Sequence, residues 1–268
     1  MDLKKFASDV RKTALNLVFQ KKASHIGGAF SMVELLTVLY NKILNSNPAN
    51  PNEENRDRFL LSKGHACSTL YSTLALKGFF TIEELYQYTE NGSYFTSHIN
   101  HKIIGIELST GSLGHALPVG CGLALAAKRK SETWQTYVMV SDGELNEGSN
   151  WEAILFAPQY NLDNLTLIVD YNKIQSLGTV AEVMELHPLA DKFKAFRWEV
   201  FEIDGHNFEQ IEGAFISAKN IKDRPSVIIA NTIKGKGVDF MEDELLWHYK
   251  SPDKQQLEDG LKQIESEK

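Results

Sequence analysis

Apolar positions along the chain follow two rhythms. Leu3, Phe6, Val10, Ala14, Leu17 and Val18 recur every three to four residues, which predicts an amphipathic helix over 3–20. Ser24-His25-Ile26-Gly27-Gly28 breaks that rhythm. Ser31, with Glu34 three residues on, predicts a capping box that opens a second helix through Leu35, Leu36, Val38 and Leu39 to about residue 44. The polar stretch 45–55, with Pro48 and Pro51, reads as loop. A short strand is expected over 58–62, a helix over 66–77, and a short helix capped by Thr81. Residues 90–112 show no firm period, and a loop that long inside a compact domain is usually functional. A helix rich in small residues follows over 116–130. Beyond it, strands and helices alternate: strand 137–140, a helix facing Trp151, Ile154, Leu155 and Phe156, a strand centred on 165–169, helix 188–196, strand 198–203, helix 207–219 and strand 226–231. Such alternation predicts an α/β fold, a doubly wound and mainly parallel sheet with helices on both faces. With no internal repeat and no composition shift, residues 1–268 read as one domain.

The middle of that pattern carries the clearest chemistry. The apolar run at 137–140 breaks into Ser141-Asp142-Gly143, and the next one ends in Asp170-Tyr171-Asn172. A short helical crossover makes two such strands parallel, with a right-handed connection. Neighbouring strands lie about 4.8 Å apart. Asp142 and Asn172 are therefore expected side by side on one sheet edge, facing the N-terminus of the intervening helix. A carboxylate, an amide oxygen and a helix N-terminus together suit a hard divalent cation holding a phosphorylated ligand. Ligands of open α/β sheets bind at this edge. An Asp-Gly turn and an Asn cap also occur in α/β proteins of every kind.

Composition narrows the partners. The 268 residues include 35 acidic and 28 basic ones, for a net charge of −7, which favours neither nucleic acid nor an anionic membrane. Cys67 and Cys121 are too few for a disulfide framework and read as small packed residues. No apolar run approaches the roughly 20 residues of a membrane span. The start, Met1-Asp2-Leu3-Lys4-Lys5, leads into no signal-like segment, so a cytoplasmic location is expected.

Eight histidines are present, none in a zinc-binding pattern. Several stand where an element breaks: His25 after the first helix, His65 after a strand, His98 and His101 in the long loop. A lone loop histidine is usually a turn or surface residue. Gly120-Cys121-Gly122 looks like part of a dinucleotide fingerprint, yet it lies inside a helical run and follows no strand, so it is rejected.

The thirty-residue spacing from Asp142-Gly143 to Asn172 across one βαβ unit resembles the thiamine diphosphate motif. The longer string Asp142-Gly143-Glu144-Leu145-Asn146-Glu147-Gly148-Ser149-Asn150-Trp151-Glu152-Ala153 resembles the transketolase family, although Ser141 stands where that family usually has Gly. Four other stretches are similar to family motifs. They are Ala23-Ser24-His25-Ile26-Gly27-Gly28, Leu61-Ser62-Lys63-Gly64-His65-Ala66, Ser109-Thr110-Gly111-Ser112-Leu113-Gly114-His115, and Thr232-Ile233-Lys234-Gly235-Lys236-Gly237 with Trp247-His248. Thr96-Ser97-His98 stands where the family has Gly-His-Pro.

The resemblance runs from about residue 10 to 250. It implies thiamine diphosphate held through Mg²⁺, or another divalent cation such as Ca²⁺ or Mn²⁺, on the side chains of Asp142 and Asn172 and the carbonyl of Ile174. It places His65 and His248 at the diphosphate, with Lys63 and Lys234 adding positive charge, and His25 and His98 nearer the substrate. Imidazole suits proton transfer because its pKa lies near operating pH. Gly111, Ser112 and Leu113 are expected at the aminopyrimidine, with Leu113 supporting the cofactor's bent shape. Gly143 and Glu144 are expected as further cofactor contacts, and Glu147 as the carboxylate that meets a partner's Glu across an interface. The implied activity moves a two-carbon ketol unit from a ketose, a sugar phosphate, to an aldose. The implied setting is the N-terminal subunit of a split transketolase, joined to a C-terminal, pyrimidine-binding subunit, most simply as two copies of each. Two rivals remain at this point: the α subunit of a 2-oxo acid dehydrogenase, and a non-catalytic domain that kept the fold.

Overall fold

In the computed structural model, which describes residues 2–266, five strands form one sheet. They are β1 (Arg58–Leu61), β2 (Thr136–Ser141), β3 (Leu165–Tyr171), β4 (Glu199–Asp204) and β5 (Ser226–Asn231). Their order is β1-β2-β3-β5-β4 and every pairing is parallel. Both β2 and β3 are buried at every position, as central parallel strands covered on both faces must be. Alternate side chains supply two cores. Phe59, Leu61, Tyr137, Met139, Ile168 and Ile228 belong to one, while Leu60, Val138, Val140, Leu167, Val169 and Ile229 belong to the other.

The helices, in chain order, are α1 (Leu3–Lys21), α2 (Ile26–Phe30), α3 (Val33–Val38), α4 (Cys67–Lys77), α5 (Ile82–Leu85), α6 (Ala116–Lys130), α7 (Gly148–Gln159), α8 (Val180–Val183), α9 (Leu189–Ala195), α10 (Phe208–Asn220) and α11 (Lys254–Ser266). Residues of α3, α4 and α10 fill the first core, and those of α6, α7 and α9 the second. The chain steps from β1 through β2 and β3 to the far edge at β4, then turns back to place β5 between β3 and β4. The connecting helix changes face at that reversal, from α9 to α10, which keeps the crossovers right-handed. A third core joins α1 and α2 to Val238, Met241, Trp247 and Ile264 of α11.

The doubly wound parallel fold expected from the sequence is therefore present, and α6 spans the predicted residues. One local expectation is corrected. Ser31 caps no helix: it ends α2, and its hydroxyl donates to the Gly28 carbonyl at 3.0 Å and to Asp170 at 2.5 Å. Glu34 bonds not to the Ser31 backbone but to Arg11, at 2.6 and 2.9 Å, and to His206 Nδ1 at 2.9 Å. A buried carboxylate gains more from a guanidinium than from one backbone N–H, so the distant partner wins. The second helix does extend beyond α3, through one wide turn closed by Leu44 N–H donating to the Leu39 carbonyl at 2.8 Å. Neither α8 nor α11 is foreseen in the sequence pattern.

Candidate active site

The carboxyl ends of β1, β2, β3 and β5 open on one cavity of about 210 Å³. Strand pairing puts Ser141 opposite Asp170, so Asp142 and Asn172 leave neighbouring strands at the same edge, as their spacing requires. The wall also receives His65 from the turn after β1, His25 at the start of α2, Lys234 from the loop after β5, and His248. The long 90–112 segment folds over the same edge and delivers His98 and Gly111, with Leu113 just beyond. Two bonds hold it there: Thr110 Oγ1 donates to the Leu61 carbonyl at 2.7 Å, and Tyr71 OH to the His98 carbonyl at 3.0 Å. Gly64 makes this approach possible, because a Cβ there would lie 2.5 Å from the Thr110 carbonyl oxygen.

Asp142 is 1% exposed. Its two oxygens accept backbone N–H bonds, from Gly143 at 2.7 Å and Lys173 at 2.5 Å. Burial, with Asp170 close by, pushes its carboxyl up to about 6. Asn172 Oδ1 accepts from Ile174 N–H at 3.1 Å. The Ile174 carbonyl accepts from the Lys234 ammonium at 3.2 Å, and the Gln175 carbonyl does so at 3.3 Å. A carboxylate lacking a counter-cation, beside amide and carbonyl oxygens, is a donor set for a hard oxygen-seeking ion. Among the described residues no group of three or more His, Cys, Asp or Glu is placed to hold a metal, so any cation here relies on neutral oxygens as well.

Four imidazoles meet around this point. His25 lies 5.1 Å from both His65 and His248 and 6.0 Å from His98, centroid to centroid, and His65 lies 5.7 Å from His248. Burial, then repulsion from His98 and Lys234, lowers His25 to about 4. Burial and the Lys234 charge lower His248 to about 3, and burial beside Lys63 drives His65 well down. All three are neutral at pH 7, able to donate at one ring nitrogen and accept at the other. His25 adopts φ of +69°, an uncommon left-handed conformation for a residue with a side chain. Its N–H donates to the His248 carbonyl at 3.0 Å, which ties the two together.

The two lysines differ. Lys63 lines the cavity, but its ammonium is paired with Asp170 and donates to the Gly28 carbonyl at 2.8 Å, so its charge is balanced within the wall. Lys234 donates only to neutral acceptors, Ile174, Gln175 and His248 among them, and burial beside Lys63 lowers it to about 8. It is the ammonium with charge to spare for an anion.

Of the expected site residues, His25, Lys63, His65, His98, Gly111, Leu113, Asp142, Gly143, Asn172, Ile174, Lys234 and His248 all line the cavity. Three do not. Ser112 is exposed beside it. Glu144 is fully buried; one oxygen accepts from Ser62 Oγ and from Gly114 N–H, so it fastens the 109–115 loop to β1. Glu147 is exposed at the start of α7 and packs under Gly114, where a Cβ would come within 2.7 Å of the Glu147 Cβ. Gly114 also has φ of +84°, which favours glycine.

Several residues escape a reading of the sequence: Gly28, Gln175 and Ser176 at the cavity, Asp170 buried beneath Lys63, and the Arg11–Glu34–His206 cluster. Asp170 gives one signal, a charge at the end of an otherwise apolar strand. It binds Lys63 and accepts from Ser31 and Thr232 at 2.5 Å each. In the cluster, His206 Nε2 accepts from Ile233 N–H at 2.8 Å and Arg11 donates to the Lys236 carbonyl at 2.9 Å, which fixes the Lys234 loop against α1 and α3.

A doubly wound parallel sheet with a buried carboxylate, an amide oxygen, an uncompensated ammonium and clustered imidazoles at its strand ends defines an α/β domain built to hold an anionic ligand. The family described as transketolase, thiamine diphosphate binding domain matches residues 3–256, and the chain belongs to it. It is 42% identical over 254 residues to one subunit of the apulose-4-phosphate transketolase of Phocaeicola vulgatus, covering 95% of this chain and 90% of that relative. It is 41% identical to the 6-deoxy-6-sulfo-D-fructose transketolase subunit SqwG of Clostridium sp. (strain MSTE9), covering 92% and 90%. Of human transketolase, 33% identical, it spans 42% of the length. The crystal structure of Campylobacter jejuni transketolase superposes with a TM-score of 0.94 at 31% identity, over 99% of this chain and 43% of that one. Among the described residues no helix is long and apolar enough to cross a membrane.

Proposed function

We propose that the chain is the diphosphate-binding subunit of a two-subunit transketolase, transferring a two-carbon ketol unit from a ketose, a sugar phosphate, to an aldose. The observation that carries this reading is the convergence of four imidazoles on the cavity that also holds Asp142, Asn172 and Lys234. Asp142, Asn172 and the Ile174 carbonyl hold Mg²⁺, while Lys234, His65 and His248 meet the diphosphate. Bound thiamine diphosphate supplies the nucleophilic carbon and the electron sink for carbon–carbon cleavage. His25 and His98 orient the donor's hydroxyls and move their protons, a role imidazole side chains can fill. Gly111, Ser112 and Leu113 face the aminopyrimidine, and Glu147 meets the partner's carboxylate. The whole chain serves as this one domain.

The partner reading is supported by the length match to relatives that are themselves named as transketolase subunits, and by exposed apolar surface. Val119 of α6, Leu155 and Phe156 of α7 and Tyr160 just after it are exposed, as are Leu177 and Leu246, which neighbour the cavity residues Ser176 and His248 in sequence. A pyrimidine-binding subunit covers these faces, in a heterotetramer with two copies of each chain. Two free buried cysteines suit a reducing cytoplasm. The relatives above are named as transketolases, which disfavours the 2-oxo acid dehydrogenase α subunit. The intact cluster of ionisable groups disfavours a non-catalytic domain.

The test is to prepare the chain alone and in complex with its pyrimidine-binding partner, then to assay both with Mg²⁺ and thiamine diphosphate. Ketol transfer by the pair and by neither chain alone is expected. Full activity from this chain by itself, or 2-oxo acid decarboxylation in place of ketol transfer, overturns the reading.

A further inference from the structure

Gln175 stands out among the cavity residues because its amide is half satisfied. The residue is 8% exposed and lines the cavity with Asp142, Asn172 and Ile174. Its main chain is pinned on both sides: the N–H donates to the Gly178 carbonyl at 2.8 Å, and its carbonyl accepts from Lys234. Its side chain lies across Gly143, where a Cβ would come within 3.2 Å of the Gln175 Cγ and 3.4 Å of its Cδ. Oε1 accepts from Asn146 Nδ2 at 3.1 Å, which points the other end of the amide away from Asn146. That end, Nε2, is buried and has no hydrogen-bond partner.

A buried N–H donor left without a protein acceptor is uncommon in a folded protein, and Gln175 is one that also lines the cavity, where a ligand can supply the acceptor. The neighbours narrow the acceptor's chemistry. Lys234 brings positive charge to the same wall, and His65 and His248 are neutral imidazoles able to donate. We infer that Gln175 Nε2 donates to a phosphoryl oxygen of the diphosphate group, making Gln175 a binding residue for the anion on the Gly143 side of the cavity. This rests on the cofactor reading given above. The same side chain joins the two arms of the site, since Asn146 follows the Asp142 turn and Gln175 follows Asn172.

The Gln175→Met and Gln175→Glu variants together separate a donor from a merely structural role. Gln175→Met removes the N–H donor without adding charge, while Gln175→Glu keeps the packing on Gly143 and an oxygen for Asn146 but puts a carboxylate where the donor was. The experiment titrates the complex of this chain and its pyrimidine-binding partner with inorganic diphosphate and with thiamine diphosphate, each with Mg²⁺, by calorimetry. Gln175→Glu, Gln175→Met and Asn146→Ala are compared with the natural chain, and melting curves report folding. A hydrogen bond to a charged acceptor predicts an affinity loss on the order of tenfold or more for Gln175→Met. A larger loss is expected for Gln175→Glu, whose carboxylate repels the anion, and little change for Asn146→Ala. Equal affinity in the natural chain and Gln175→Met, or a loss in Asn146→Ala as large as in Gln175→Met, overturns the inference while leaving the cofactor reading intact. Failure of the complex carrying the natural chain to bind either diphosphate removes the cofactor reading, and this inference with it.

Discussion

Asp142 is the residue on which charge and folding conflict. In the metal-free chain its carboxyl sits at about 6 against an ordinary 3.8, so the native state holds the proton more tightly than the unfolded chain does. That contribution favours folding fully below pH 3.8 and is lost as pH rises through about 6. Asp142→Asn removes the buried charge, although one of the two backbone N–H groups it serves then loses its acceptor, which offsets part of the gain. The variant is expected to raise stability by about 1 kcal/mol at about pH 8 in chelator, read by urea unfolding. It should also abolish Mg²⁺-dependent thiamine diphosphate binding, and unchanged affinity would remove Asp142 from the cation site. The histidines have the opposite sign. His25 and His248 are lowered to about 4 and about 3, so the stability they confer is full above pH 6.5 and falls away only in acid. Imidazole NMR of the ligand-free chain at about pH 5.5 should find both neutral. A His25 midpoint near its ordinary 6.5 would mean that the cavity is far wetter than its burial indicates.

At the scale of elements, α6 offers a matched pair of glycines. A Cβ on Gly120 would lie 2.5 Å from Val138 Cγ2 of β2, whereas one on Gly122 meets nothing within 4 Å. Gly120→Ala should therefore destabilise by about 1–3 kcal/mol through overpacking. Gly122→Ala should stabilise by roughly 0.5–1 kcal/mol through helix propensity. Both are read by urea unfolding of the chain alone, and equal effects would show that the helix does not pack as described. Elements like α6 are legible in the sequence because their pattern is local: small and apolar residues recur from Ala116 to Ala127, a basic last turn follows, and the helix stops at Ser131. The same holds for the Asp142–Asn172 pair, since two strands and one crossover fix where both emerge. What is not legible depends on distance. Glu34 looks like half of a capping box because Ser31 stands three residues before it, just past the Gly27-Gly28 break, while its real partners, Arg11 and His206, lie 23 and 172 residues away. Likewise Asp170 meets Lys63 across 107 residues. In α11 a Gly260 and a polar composition surround Leu257, Leu261 and Ile264, and the helix is held by distant residues, with Leu15 of α1 and Val238 both close against Gly260.

Seen whole, the chain presents its cavity at one edge and an apolar flank on α6 and α7, where Phe156 and Tyr160 stack at 4.4 Å and Leu155 is 62% exposed. Exposed clusters of this kind mark association surfaces. Leu155→Glu should leave the melting temperature of the chain unchanged yet prevent recovery of ketol transfer when the pyrimidine-binding partner is added. Undiminished activity with the variant would place the partner elsewhere. The strand order carries a further consequence, for synthesis. Because β5 is threaded between β3 and β4, the sheet stays open until the last quarter of the chain has been made, and Lys234 and His248 come later still. Non-local parallel pairings of this sort form slowly, since loop closure precedes any contact that rewards it. A growing chain on the ribosome thus displays Asp142 and Asn172 beside His25, Lys63, His65 and His98, but without Lys234 and His248 to close the cavity. A ligand that relies on Lys234 and His248 is therefore expected to protect the finished chain from unfolding more than it guides the nascent one.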